Sequence, residues 1–450
     1  MNLASRRRAR AGLATMVALA LLVLPADAKT RKRRTSHAAP PVVQLVWQVE
    51  TLDGKVLNDK SGETPINPAS VVKVATSLWA LERLGPDYRF DTYVLSRGQI
   101  QPGGVLDGDL LVRGAGDLNF QIENAMLVAS ALNRVGIRRV TGRLVVDPFF
   151  WMGWEGGSSG TQKDPVQRGL VMAGRLRSGL DPRFWRRFDQ ATWRRVAAIR
   201  GLDAAHPPQV VIEKGLSVET TPVGGNLLLA HQSNALIDVL RKFDCHSTND
   251  IERLDVTAGP PEELESWLTS KIAAAPGAVS LQTSSGLGVN RIAPATIVKI
   301  LREFRRSSER HGYPIETLLP VAGCEACTVT RAYPRLSYGN NAAAVAAKTG
   351  TLTTTDGGAA VLAGFVSTAR GELVFCVAAP RSGRYLSAAR RAIEDWLMNL
   401  ITTNGGPVPR ACAPPGADLA DVRVVTVASD ATAKVEAAAA APTPMGVGSR

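Results

Sequence analysis

The sequence predicts an α/β protein in which one discontinuous domain carries an inserted, partly β second domain. Three observations predict it. Hairpin patterns stand near both ends of the patterned chain, in "VVQLVWQVET…KVLND" and "AAVLAGFVSTARGELVFCVAAP". Long helical patterns lie between them, and strands that close one sheet from both ends require the intervening chain to pack against it. Between these, residues 91–225 change texture to short strands, one helix-like stretch and Gly- or Arg-rich loops.

In chain order, residues 1–28 read as a secretory signal peptide. A basic start "MNLASRRRAR" is followed by the apolar run "AGLATMVALALLVL" and the cleavage site "PADA", with the cut after Ala28. The expected location is therefore periplasmic. No other segment reaches the ~18 apolar residues that a membrane helix needs, so no stable membrane span is expected after cleavage. Residues 29–40, "KTRKRRTSHAAP", read as a basic flexible arm.

The main domain is expected over residues 41–90 and 226–402. Its first hairpin turns at Asp53-Gly54. A helix then buries Val71, Val74, Ala75, Leu78 and Leu81 at helical spacing and stops at Gly85-Pro86. After the inserted residues 91–225, helical texture returns in "NLLLAHQSNALIDVLRKF" and "APATIVKILREFRR". The second hairpin and a last helix, "RYLSAARRAIEDWLMNLI", close the domain. Residues 403–450 are Ala/Pro-rich and read as a disordered tail.

The chain is basic, with formal net charge +13 and five cysteines. A basic surface suits nucleic acid, an anionic membrane or an anionic polymer. Export argues against nucleic acid and leaves an anionic polymer of the cell envelope; an arginine-favouring genome explains the charge with no partner. Cys245, Cys324, Cys327, Cys376 and Cys412 permit disulfides in an oxidising compartment. A Cys324–Cys327 bridge, a bridge to Cys245, and inert buried thiols all remain open. One CxxC without a second pair does not make a zinc site, and no metal or cofactor is implied.

Two motifs carry chemistry. Ser70 precedes Lys73 by three residues, the one Ser-x-x-Lys in the chain. On a helix that spacing puts hydroxyl and amine on one face, where a desolvated lysine can act as base toward the hydroxyl. The second motif is Lys348-Thr349-Gly350, which leads into a strand pattern. Beside Ser70, its lysine and threonine would hold a substrate carboxylate, and its glycine would let the substrate backbone lie close.

With both motifs in order, the chain resembles the D-alanyl-D-alanine carboxypeptidase/endopeptidase family of low-molecular-mass penicillin-binding proteins, of the type with a large insertion between the first two motifs. The resemblance runs from about Val42 to Leu400. It includes "NPASVVKVATSLWALERLGPDYRFDT", "LLVRGAGD", "GRLVVD", "SSGLGVNRIAP", "LPVAG" and "AAKTGTLTTTDGGAAVLAGFV". It implies the transpeptidase fold shared with serine β-lactamases. It makes Ser70 the acylated nucleophile, Lys73 its proton partner, Lys348 and Thr349 the carboxylate site, and the backbone N–H groups of Ser70 and Thr351 the oxyanion hole. Peptidoglycan peptides become the substrates, cut at D-Ala–D-Ala termini or D-Ala–diaminopimelate cross-links, and β-lactams the covalent inhibitors.

The family's middle motif, S-x-N, is read here in "HQSNALIDVL". The acidic Asp238 sets Asn234 as the family asparagine, which places Gln232 where the serine belongs and Ser233 one residue out of register. Because glutamine cannot relay a proton, this reading leaves room for a catalytically impaired peptidoglycan-binding scaffold of the same fold. A β-lactamase or esterase with the same nucleophile is a third reading. Ser285 is assigned to a tight turn, His231 to a helix surface, Asp117 to a turn cap, and "GGSSG" at 156–160 to a loop.

Overall fold

The computed structural model describes residues 43–157, 160, 162–220 and 224–426. The signal peptide, the basic arm and residues 427–450 lie outside the described residues, as do two serines of the 156–160 loop. A five-stranded antiparallel sheet runs in the order Val345–Leu352, Ala359–Thr368, Gly371–Pro380, Val46–Thr51, Val56–Lys60. Val46–Thr51 thus pairs with Gly371–Pro380, and the two ends of the domain meet in one sheet.

The strand Ala359–Thr368 reads as nearly unbroken apolar sequence because both its faces are covered. Val361, Ala363 and Phe365 face a core with the helices Val72–Leu84, Leu236–His246 and Pro294–Arg310. Ala360, Leu362 and Val366 face the last helix, Leu386–Thr403, through Ala389, Ile393 and Leu397. All five apolar positions expected on the first helix are buried in the first of these cores.

The inserted region builds a second sheet on the hairpin Asp91–Gln101 and Val105–Gly114, extended by short parallel strands. The helices Ile122–Arg134 and Pro165–Leu180 pack against it. Here the sequence expectation needs three corrections. Residues 226–232 are a strand rather than helix, because pairing with Asp91–Ser96 on one side and Arg423–Thr426 on the other overrides local preference. The main domain accordingly resumes after Gln232 instead of at 226. Residues from Thr403 to Thr426 are not a disordered tail but a strap. It is tied by a Cys324–Cys412 disulfide, by Arg410 to Glu316 at 2.6 Å and to Glu372, and by its terminal strand in the second sheet.

The second disulfide joins Cys245 to Cys327, and Cys376 is a buried free thiol. The CxxC cysteines therefore take separate partners. Among the described residues, no helix is long and apolar enough to cross a membrane.

Candidate active site

Ser70 lies in the single 3₁₀ turn Ala69–Val71 that feeds directly into the helix Val72–Leu84. Two close backbone approaches hold this turn. A Cβ on Gly286 would meet the Ala69 carbonyl oxygen at 2.0 Å, and one on Gly350 would meet the Pro68 carbonyl oxygen at 2.6 Å. Only glycine fits either position, and Gly286 also has φ of +90°. The strand carrying Lys348 can therefore lie directly beside the nucleophile turn.

Lys73 Nζ donates to Ser70 Oγ at 3.0 Å, to Asn249 Oδ1 at 2.9 Å and to the Ser285 carbonyl at 2.6 Å. Its side chain is fully buried. Burial holds its amine well below the usual lysine range, and the neighbouring Lys348 charge adds to that, against the opposing pull of Asp244, Glu252 and Asp250. Lys348 Nζ donates to Ser247 Oγ at 2.8 Å and to the Thr349 carbonyl at 3.0 Å. Burial lowers its pKa too, and Asp244 opposes that fall. Asp244, itself fully buried, has its pKa raised by desolvation while Lys348, Ser77 and Lys73 pull it down.

A cleft of about 420 Å³ opens above these groups. Ser70, Ser247, Asn249, Thr349 and Thr351 line it, with Arg331 and Arg390 on its wall. Arg390 donates to Thr351 Oγ1 at 3.1 Å, and the Thr349 hydroxyl bonds that of Thr328 at 2.9 Å. Among the described residues no carboxylate lines this cleft, so its polar walls suit an anionic group.

The structure brings Ser70, Lys73, Lys348, Thr349, Gly350 and Thr351 together. It does not bring Gln232, Ser233 or Asn234 to them, which corrects the reading of the middle motif. Gln232 donates to Asp91 at 2.9 Å, and the Ser233 hydroxyl donates to the Asn234 carbonyl at 2.7 Å. Asn234 donates to the strap carbonyls of Asp418 and Asp421, both at 3.0 Å. These residues tie the second sheet to the strap. In their place the cleft holds Ser247-Thr248-Asn249, an S-x-N between the helix Leu236–His246 and the 3₁₀ turn Asn249–Arg253. The sequence spells this S-x-N in "CHSTND", while the spacing of Asp238 favours the earlier triplet.

Two smaller expectations also change. His231 is fully buried on the strand Asn226–Gln232, 4.8 Å from the Phe120 ring, and burial lowers its pKa to about 3. Ser285 does more than shape a turn: its carbonyl accepts from Lys73, and its hydroxyl donates to Glu252. Asp117 caps a turn as expected, accepting from the Asn119 N–H at 2.8 Å.

Known proteins resemble this chain over most of its length. Residues 36–167 and 205–400 match the D-Ala-D-Ala carboxypeptidase 3 (S13) family. The carboxypeptidase DacB of Mycolicibacterium smegmatis is 27% identical over 443 residues, spanning 91% of this chain and 84% of that protein. The D-alanyl-D-alanine carboxypeptidase DacB of Haemophilus influenzae is 36% identical over 93 residues, a match that spans only 19% of that protein. A predatory peptidoglycan endopeptidase from Bdellovibrio bacteriovorus superposes with a TM-score of 0.68 at 22% identity, covering 82% of this chain and 95% of that one. Its penicillin G-acylated form, in complex with an immunity protein, gives 0.69 at 20% identity, covering 85% and 100%. These two likenesses show the fold, a penicillin-binding-protein-like domain with an insertion. The match over most of its length, with a serine–lysine pair at the heart of the cleft, identifies the chain as a serine peptidase that belongs to the D-Ala-D-Ala carboxypeptidase 3 (S13) family.

Proposed function

We propose that this chain is an exported, periplasmic serine D,D-peptidase acting on peptidoglycan, at D-Ala–D-Ala termini or D-Ala–diaminopimelate cross-links, with Ser70 as nucleophile. The observation that carries the proposal is the unbroken contact set Ser70–Lys73–Asn249 beside Ser247–Lys348 in one cleft. The names of its relatives, a carboxypeptidase and a peptidoglycan endopeptidase acylated by penicillin G, support it. The signal-like start of the sequence supports export.

Neutral Lys73 takes the Ser70 proton as Oγ attacks the carbonyl carbon between the two D-centres. The N–H groups of Ser70 and Thr351, both in cleft-lining residues, stabilise the oxyanion. The Lys348 ammonium and the Thr349 hydroxyl hold the carboxylate of a terminal residue. As the C–N bond breaks, the proton held on Lys73 reaches the leaving amine through the Ser247 hydroxyl, which glutamine could not relay. Water then hydrolyses the Ser70 ester. A hydroxyl at 247 removes the feature on which the scaffold reading rested, since Gln232 is not in the cleft.

The test is the intact mass of the mature protein before and after benzylpenicillin, beside a Ser70→Ala control. One adduct on the wild type and none on the control is the expected result. No adduct on folded wild type at high drug concentration would remove Ser70 as a reactive nucleophile.

A further inference from the structure

A second groove, of about 680 Å³, lies on the inserted region. Its wall carries three exposed aromatic rings: Trp154 at 44%, Phe184 at 49% and Phe188 at 74% exposure. Large apolar rings gathered round one groove at that exposure mark a binding surface rather than a core. Arg175 and Arg186 stand on the same wall, the first ion-paired with Glu155 and the second 3.5 Å from Asp189, which also lines the groove. They belong to a segment, residues 165–200, that holds nine arginines against two acids in a chain of net charge +13. The segment that builds this wall is thus strongly basic, although only Arg175 and Arg186 of the nine line the groove itself.

A short run of contacts links the groove wall to the cleft. The Trp154 ring sits 6.4 Å from the His246 ring, with Lys242 Nζ 5.3 Å from its centre. His246 directly precedes Ser247, which lines the cleft. On the other side, the backbone N–H groups of Glu155 and Gly156 donate to Asp250 at 2.7 and 3.1 Å, next to Asn249. One side of the middle motif faces Ser70, and the other carries the start of the aromatic groove.

We infer that this groove is an exosite for a peptidoglycan strand whose peptide is being cut in the cleft. Sugar rings would lie on the faces of Trp154, Phe184 and Phe188, and a stem-peptide carboxylate on Arg186, whose side chain is 86% exposed. The inference rests on the proposed peptidoglycan reading. Aromatic faces take the C–H faces of sugar rings through apolar contact, and guanidinium groups take carboxylates in bidentate fashion. Neither feature serves a D-Ala–D-Ala dipeptide already held at Ser70, so the groove adds affinity for the polymer only.

The test uses the Ser70→Ala protein and sedimentation with purified sacculi, comparing Phe188→Ala, Trp154→Ala and Arg186→Ala in that background. Loss of an interface aromatic or arginine anchor typically costs on the order of tenfold in affinity, and each substitution is expected to weaken sacculus binding by about that factor. In wild-type Ser70 background the same three variants should keep the benzylpenicillin acylation rate and the cleavage of a short soluble D-Ala–D-Ala peptide. Undiminished sacculus binding in all three would overturn the exosite. So would a shift from dimer to monomer on Phe188→Ala in sedimentation equilibrium, which would make the surface a contact between copies of the chain. Failure of acylation in the wild type is a separate result, which strikes the peptidase reading and not the groove alone.

Discussion

Lys348 donates a hydrogen bond to Ser247 across 2.8 Å, and this contact assigns the middle motif to residues 247–249. Ser247→Ala should lower turnover of a D-Ala–D-Ala peptide by about 10²- to 10⁴-fold, the usual worth of a positioned proton-transfer group. Its melting temperature should stay near that of the wild type. Asn234→Ala should do the reverse. It leaves the Asp418 and Asp421 carbonyls without their donor and destabilises by about 1–3 kcal/mol, with kcat little changed. Steady-state kinetics and thermal melts on both variants decide the matter, and a turnover loss confined to Asn234→Ala would return the motif to 232–234.

The pH profile should follow the two buried lysines. Lys73 works as the neutral amine, and burial lowers its pKa, so kcat/KM should rise as pH climbs through that lowered value. Lys348 works as the cation, and its own lowered pKa should bring the rate down again on the alkaline side, below the range of an ordinary lysine. A bell-shaped kcat/KM curve is expected. Lys73→Arg keeps a charge at every working pH and should lose at least about 10²-fold, with no recovery up to the alkaline limit of folding. Recovery of Lys73→Arg at high pH would show that no base is needed at this position.

Much of this site was legible because its residues are adjacent in sequence. Ser70 and Lys73 sit one helical turn apart, and Lys348, Thr349 and Thr351 follow one another on a strand. The fold's outline was legible for a related reason: the central hairpin is apolar on both faces, and the helices keep a strict spacing. What local pattern could not show was pairing over distance. Residues 226–232 look helical until two strands far away in sequence claim their backbone groups. Ser247-Thr248-Asn249 was masked by a better-spaced decoy, and the strap's Ala/Pro composition hid a disulfide and an edge strand.

Asp117 offers a test of the join between the two regions. It is 2% exposed, and one carboxylate oxygen has no hydrogen-bond partner among the described residues. Burial raises its pKa to about 7 from the model-peptide value of 3.8. A raised folded-state value stabilises fully below the unfolded pKa, and that contribution is lost as pH rises through the folded one. The cost of ionising it in place is about 4 kcal/mol at neutral pH and above. Asp117→Asn removes this slope. Its melting temperature relative to wild type should improve steadily between pH 4 and 8; a difference independent of pH would show that Asp117 ionises freely.

Cys412→Ser should loosen the strap. The Cys324–Cys412 bridge spans 88 residues, and the chain-entropy relation puts the stabilisation of such a loop at about 4–5 kcal/mol. A lower melting temperature is expected, with benzylpenicillin acylation retained at 25 °C because neither cysteine lines the cleft. Peptide mapping without reductant should recover 245–327 and 324–412 as the linked pairs. Recovery of a 324–327 bridge instead would refute both assignments.

The strand Val46–Thr51 sits inside the main sheet, between an early partner and one made near the end of synthesis. An emerging chain therefore presents Ser70 and Lys73 long before the strand that must lie beside them, and the pairing that closes the sheet has a very large sequence separation. Such closure is slow, and the waiting segments are exposed to aggregation and proteolysis. The same delay has a benefit for a hydrolase. The nucleophile cannot be assembled with Lys348 while the chain is still being synthesised, so activity switches on only once the whole domain is complete.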